Sequence, residues 1–139
     1  SHGTHCASTI GGTTYGISKE TTIVAVQVLS CRGSGSTAGV IAGMEWAVDD
    51  SKKAYRGGKP AVLSMSLGGG SSSLMNKAVK DAVDKGVVVV AAAGNDNADA
   101  CDTSPASAPL AITVGSTDIF DRKSSFSNSG SCVDIHAPG

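Results

Sequence analysis

Long apolar runs are missing from this sequence. No stretch of the 139 residues approaches the roughly 18 consecutive apolar residues that a membrane span requires. An excess of one charge is missing too: 11 Lys and Arg stand against 12 Asp and Glu. Nucleic acids and anionic membranes call for a clustered basic surface, and the near-neutral balance points to neither. The four cysteines, Cys6, Cys31, Cys101 and Cys132, include no C-x-x-C pair, which argues against a zinc ribbon or a thioredoxin-type motif. An initiator Met and a secretory signal are absent as well. The chain opens on Ser1-His2-Gly3-Thr4-His5 and stops on Ala137-Pro138-Gly139, straight after an apolar run. Both ends read as cut points inside a larger domain, a mature processed chain being the alternative.

What is present is small and apolar. Hydrophobic residues make up 40%, charged residues 17%, and there are 18 Gly. Such a composition suits tight loops and closely packed elements, and its recurrent apolar runs exclude a disordered chain. An even cysteine count in a weakly charged chain suggests a compartment that permits disulfides, although the spacing alone assigns no pairs.

Apolar β-branched runs alternate with helix-like stretches. Residues 22–29 read as a buried strand, and 31–35 as a Gly/Ser loop. A helix is predicted over 36–52, capped by Ser36 or Thr37, with Val40, Ile41, Met44, Ala47 and Val48 at helical spacing. Residues 61–67 read as a second strand. Residues 73–85 read as a second helix with Leu74, Ala78, Ala82 and Val83 toward the core, closed by Gly86. Further strands are predicted over 87–93, 110–115 and 133–137. Alternating strands and helices with near-continuous apolar strands predict an α/β fold with a mostly parallel sheet. Such sheets carry their sites outside the carboxyl ends of the strands. Those ends are Gly33-Ser34-Gly35, Gly68-Gly69-Gly70 and Gly94-Asn95, Gly-rich loops that let a backbone approach a ligand closely.

His2, His5 and Cys6 are candidate metal ligands by type. The spacing H-x-x-H-C, however, lacks the Glu of the H-E-x-x-H zinc helix. A nucleotide-binding loop is also disfavoured: residues 33–39 do not spell G-x-G-x-x-G, and no Walker lysine follows.

Five ordered blocks carry a stronger signal. Ser1-His2-Gly3-Thr4-His5-Cys6-Ala7 resembles the histidine motif of the subtilase (peptidase S8) family, in which H-G-T-H begins a helix. Residues 64–70, Ser-Met-Ser-Leu-Gly-Gly-Gly, resemble its substrate-binding strand. Residues 91–95, Ala-Ala-Ala-Gly-Asn, resemble the segment that ends in its oxyanion asparagine. Residues 124–130, and then Val133-Asp134-Ile135 with Ala137-Pro138-Gly139, resemble its downstream sequence. The resemblance spans the whole chain and is closest to the proteinase K subfamily, including aqualysin-like members. It implies a three-layer subtilisin-like fold with a mostly parallel central sheet, incomplete at both ends. Residues 1–139 would then be the central part of one peptidase domain.

The resemblance implies a serine endopeptidase that uses an Asp-His-Ser triad. His2 would be the general base and Asn95 the oxyanion donor, with His5 and Cys6 as support beneath the site and Cys6 a free buried thiol. A serine hydroxyl needs such an adjacent base at neutral pH, and an amide N–H aimed at the developing oxyanion stabilises it without reorganising water. Taken alone, Gly94-Asn95 could be only a turn, since Asn tolerates left-handed backbone. Gly33, Ser34 and Gly35 on one side and Ser66, Leu67 and Gly68 on the other would clamp a peptide by strand pairing. Small residues at Ala92, Ala93 and Gly94 would leave the main pocket open to apolar or aromatic side chains.

The family order places the triad Asp upstream of Ser1 and the nucleophile beyond Gly139, and no serine here sits in a Gly-Thr-Ser-Met-Ala motif. The isolated 139 residues are therefore expected to be inactive. The family also implies structural calcium at the Pro109 and Ala111 carbonyls with the Asp134 carboxylate, and no organic cofactor. It implies a Cys101–Cys132 disulfide, and Cys31 bonded to a cysteine upstream. It further implies secretion, an N-terminal propeptide and a monomer acting on peptide or protein substrates. The competing reading is a catalytically inactive homologue with a binding or regulatory role.

Overall fold

A computed structural model describes residues 2–139 as two compact units, Ser1–Gly43 and Met44–Gly139, taken here one at a time. In the first, α1 (His2–Gly11) starts at the histidine motif, and none of its residues is buried. Residues 22–29 join no ladder among the described residues and are exposed or half-buried rather than buried, so the buried strand predicted there is not formed. The reason is physical: a strand exists only through hydrogen bonds to a neighbour, and an apolar β-branched run supplies just the side-chain half of that requirement.

Helix α2 (Thr37–Ser51) runs from the first unit into the second. Ser36 is its cap: the Ser36 Oγ accepts the Gly39 N–H at 3.0 Å, and the Val40 N–H reaches the Ser36 carbonyl at 3.0 Å. Val40, Met44 and Val48 are buried at i, i+4 and i+8, while Ile41 and Ala47 are half-buried. The helix ends on Asp49 and Asp50, the wrong sign for a carboxyl terminus. The chain compensates at once. Buried Asp50 accepts a hydrogen bond from the Tyr55 hydroxyl and is paired by Arg56, whose Nε donates at 2.8 Å.

The second unit is built on a four-stranded parallel sheet in the order β1 (Val62–Met65), β3 (Val88–Ala92), β5 (Ile112–Thr117), β6 (Ile135–Pro138). Val62 faces Val88, Val90 faces Ile112, and Val114 faces Ile135. A smaller antiparallel pair joins β2 (Gly69–Gly70) to β4 (Thr103–Ser104). Alternation divides the sheet's faces. Met65, Val89, Ala91 and Thr113 point to the buried face. Val62, Val88, Ile112 and Ile135 stand on the other at 61%, 46%, 44% and 57% exposure.

The crossover from β1 to β3 is α3 (Ser73–Asp84). Ser72 caps it by accepting the Met75 N–H at 3.2 Å. It ends in a Schellman motif: the Gly86 N–H bonds the Val83 carbonyl and the Val87 N–H bonds the Ala82 carbonyl, with Gly86 at φ +87°. Met75, Val79 and Ala82 are its buried residues. The predicted stripe was therefore displaced: Ala82 holds, Ala78 and Val83 are half-buried, and Leu74 is 67% exposed. In the first turn Leu74 points off the sheet, and Met75, one residue on, takes the core position.

The Asp50 cluster carries a pH signature. Its carboxyl is held below the ordinary carboxylate value, first by the Tyr55 hydrogen bond and then by Arg56, against the opposing effect of burial. A group lowered in the folded state stabilises above its unfolded pKa of about 3.9, and that stability is lost as pH falls through the lowered value. Asp50→Asn in the full-length gene product is expected to lower the melting temperature at pH 7. The gap from wild type should shrink below about pH 4, as thermal melts across pH 3–7 will show; a gap constant with pH would count against this account.

Candidate active site

Among the sequence-predicted residues, His2, His5, Cys6, Cys31 and the 33–35 loop lie in the first unit and the rest in the second. His2 stands in the first turn of α1 and is exposed, with the Cys6 thiol 3.8 Å from its Nε2 one turn on. Cys6 is free and half-buried rather than buried, because α1 turns no face into a core. His5 is exposed, and its carbonyl accepts the Thr9 hydroxyl at 3.1 Å. The 33–35 loop is a tight turn: the Gly33 N–H reaches the Ser30 carbonyl at 2.9 Å, and the Ser30 N–H reaches the Ser34 carbonyl at 2.8 Å. At Gly35 a Cβ would lie 2.4 Å from the Val28 carbonyl oxygen, so only glycine lets the two backbones pass.

In the second unit the parallel register sets two predicted segments side by side. Met65 pairs with Ala91, so Ser66–Gly68 leaves β1 beside the point where Ala93–Asn95 leaves β3. Both lie at the carboxyl edge, where open α/β sheets place their sites. Ser66 and Gly68 are exposed and Leu67 is half-buried. This segment is fixed at both ends, by β1 in the large sheet and by Gly69–Gly70 on β4.

Asn95 is exposed. Positive φ in its loop falls on Gly94 (+108°) and Asn97 (+49°), not on Asn95. The left-handed asparagine of the turn is thus Asn97, which frees Asn95 from the backbone role that would otherwise explain it. Ala92 is half-buried, Ala93 is 1% exposed, and the space beside Gly94 is already taken: a Cβ there would meet the Asn128 Nδ2 at 2.3 Å.

The loop is laced to residues 126–132. The Asn97 N–H donates to the Phe126 carbonyl at 2.8 Å, the Ser129 N–H to the Ala98 carbonyl at 3.0 Å, and the Ala100 N–H to the Ser129 carbonyl at 2.8 Å. The Lys123 Nζ donates to the Asn97 Oδ1 at 3.0 Å and to the Ser127 carbonyl at 2.9 Å. The Asn128 side chain is wholly buried and adds three further bonds. Cys101 and Cys132 close the lacing with a disulfide, their Cα atoms 5.3 Å apart. Sequence reading passed over Asn128 and Lys123. Both lie in or beside a block that resembles the family, but no spacing rule links them to a loop some 30 residues earlier.

Asp134 sits just before β6 and exchanges two bonds with Thr113: its Oδ2 accepts the Thr113 N–H at 2.7 Å, and its own N–H reaches the Thr113 carbonyl at 2.9 Å. Ala111, just before the adjacent β5, is buried, and Pro109 is exposed. A shallow concavity lined by Asp118, Arg122, Lys123 and Phe126 holds none of the sequence-predicted site residues. No helix among the described residues is long and apolar enough to cross a membrane.

These features are those of one protein class, and the chain belongs to it: it matches the Subtilase family over residues 1–139. It is 54% identical over 138 residues to an "Extracellular serine proteinase" of Thermus sp. (strain Rt41A), covering 99% of this chain and 32% of that one. It is 55% identical to "Alkaline serine exoprotease A" of Vibrio alginolyticus, covering 25% of that protein. The crystal structure of a cold adapted subtilisin-like serine proteinase superposes with a TM-score of 0.93 at 54% identity, over 99% of this chain and 48% of that one. The chain therefore spans about a third or less of these curated relatives.

The disulfide closes a loop of sequence separation 31. Cross-linking a loop of that length is worth about 3–4 kcal/mol in the chain-entropy account. Peptide mapping without reduction should recover Cys101 linked to Cys132. The Cys101→Ser, Cys132→Ser double variant should lose stability of that order; an unchanged unfolding midpoint would argue against it.

Proposed function

We infer that the complete protein is a serine endopeptidase in which this chain supplies the general base and one oxyanion donor. The observation that carries the reading is the carboxyl edge of the sheet. There Asn95 stands exposed on a rigidly laced loop beside the backbone of Ser66–Gly68. A peptide added along that backbone needs only main-chain hydrogen bonds to dock. The Asn95 amide then has the reach to donate to a carbonyl oxygen as it gains negative charge, and a preorganised donor costs no reorganisation at that moment. In the other unit, His2 projects from the first turn of a helix. A neutral imidazole there accepts the proton of the attacking serine hydroxyl and returns it to the leaving amine. The aspartate and serine of the triad are those that the family order assigns outside residues 1–139, so this chain alone is expected to be inactive. The family resemblance assigns Gly33–Gly35, in the first unit, a further part in binding the peptide backbone. The preference for apolar or aromatic side chains that the family resemblance implies would have to rest on half-buried Ala92, since Ala93 is buried and the space beside Gly94 is filled by Asn128.

We propose structural calcium at the Pro109 and Ala111 carbonyls and the Asp134 carboxylate, as the family resemblance implies. Carbonyl and carboxylate oxygens are hard ligands of the type this cation takes. The Asp134 Oδ2 is committed to the Thr113 N–H, which orients the carboxylate. Bound there, the ion would tie the entrances of β5 and β6 together, a structural role. The name of one relative, "Extracellular serine proteinase", supports secretion; a propeptide-bearing precursor and a monomeric mature enzyme complete the proposal, as the family resemblance implies. Exposed Cys31 is available for a bond to a cysteine outside these residues.

In the full-length gene product, with a chromogenic peptide as substrate, His2→Ala should lower kcat by roughly 10⁶, and Asn95→Ala by roughly 10²–10³. Both magnitudes are those of subtilisin, the family's namesake. Near-wild-type turnover in either variant would overturn the assignment of that residue. Chelation should lower the melting temperature of the wild type by several degrees and leave that of Asp134→Asn almost unmoved; an equal response would remove Asp134 from the calcium site.

A further inference from the structure

The geometry points to Asn128 as the positioning residue of the oxyanion donor: its buried carboxamide holds the turn from which Asn95 projects, and so sets where the Asn95 amide meets the substrate carbonyl. This rests on the reading of Asn95 as that donor.

Four hydrogen bonds run between Asn128 and the turn. The Asn128 Nδ2 donates to the Ala93 carbonyl at 2.9 Å, on the strand side of Asn95. The Asn128 Oδ1 accepts the Asp96 N–H at 2.9 Å and the Ala98 N–H at 3.0 Å, on the far side. The Asn128 N–H donates to the Gly94 carbonyl at 3.0 Å. Residues on both sides of Asn95 are thus bound to Asn128, Gly94 through its backbone N–H and Ala93, Asp96 and Ala98 through a side chain that is 0% exposed, while Asn95 itself is left facing solvent. Only a primary amide offers both a donor and a two-lone-pair acceptor in this span. The fit is close as well: the Gly94 Cα lies so near Nδ2 that no side chain can be placed there, and the turn cannot slide along Asn128.

The chemistry makes such a clamp matter. An oxyanion donor works by being in place before charge develops, and a misplacement of about 1 Å can cost on the order of 10²-fold in rate. Replacing Asn128 by Ala would leave the Ala93 carbonyl and the Asp96 and Ala98 N–H groups without their partner and let the turn move. The Asn95 amide would still be present but no longer aimed.

The test is a double-mutant cycle in the full-length gene product. Asn128→Ala should lower kcat about 10- to 100-fold with KM changed less than about threefold. On an Asn95→Ala background the same change should lower kcat by less than about threefold, because there is no donor left to position. Asn128→Ser, a smaller uncharged side chain whose hydroxyl can still make one hydrogen bond to the turn, should retain at least as much activity as Asn128→Ala. It also serves as the working variant in the same cycle if the alanine protein does not fold. Asp50→Asn, far from this loop in sequence, provides a destabilised control whose kcat should stay at the wild-type value. Equal kcat losses on both backgrounds would show a merely structural role and overturn the proposal, as would an unchanged kcat. If Asn95→Ala itself left kcat unchanged, the assignment of the donor would fall first and the positioning role with it.

Discussion

Much of the second unit hangs on one buried side-chain amide. Burying a carboxamide costs free energy unless each polar atom finds a partner, and Asn128 finds one for every group it brings. Once satisfied in a low-dielectric interior, such bonds resist exchange with water and fix one geometry among many. A turn of exposed residues, which would otherwise sample several conformations, is thereby tied to a segment some 30 residues away.

The sheet provides the frame on which this works. Its parallel register aligns the ends of β1 and β3, so the Ser66–Gly68 segment and the Asn95 turn emerge next to one another. The antiparallel pair β2–β4 then holds Gly69–Gly70 against Thr103–Ser104. The Ser104 hydroxyl accepts the Ser72 N–H at 3.0 Å, which joins the cap of α3 to the same corner. Rigidity is concentrated around the edge, while the residues at the edge itself remain accessible.

What the sequence makes legible follows from what each signal measures. The runs 61–67 and 87–93 announce strands because β-branched apolar residues fit a buried pleat, and the structure forms β1 and β3 inside them. The run 22–29 carries the same signal and pairs with nothing described, because composition reports burial and not the presence of a neighbour. Gly86 was readable as a helix stop since its left-handed backbone has few other solutions. Leu74 was misplaced because periodicity fixes a helix's stripe only to within a residue. Asn95 could be found through its block, whereas Asn128 could not be found as a clamp. Its role is a long-range contact, and an asparagine buried for hydrogen bonding looks in sequence like an asparagine in a loop.

The two faces of the sheet are unequal, with Val62, Val88, Ile112 and Ile135 lying substantially in water on one of them. Surface already hydrated in the folded state cannot be newly hydrated on unfolding. Denaturant sensitivity and the heat-capacity increment both scale with newly exposed area. For these 139 residues alone a cooperative transition would therefore be shallow for the chain length, with a broad denaturation profile and a flat stability curve. Covering that face would steepen both.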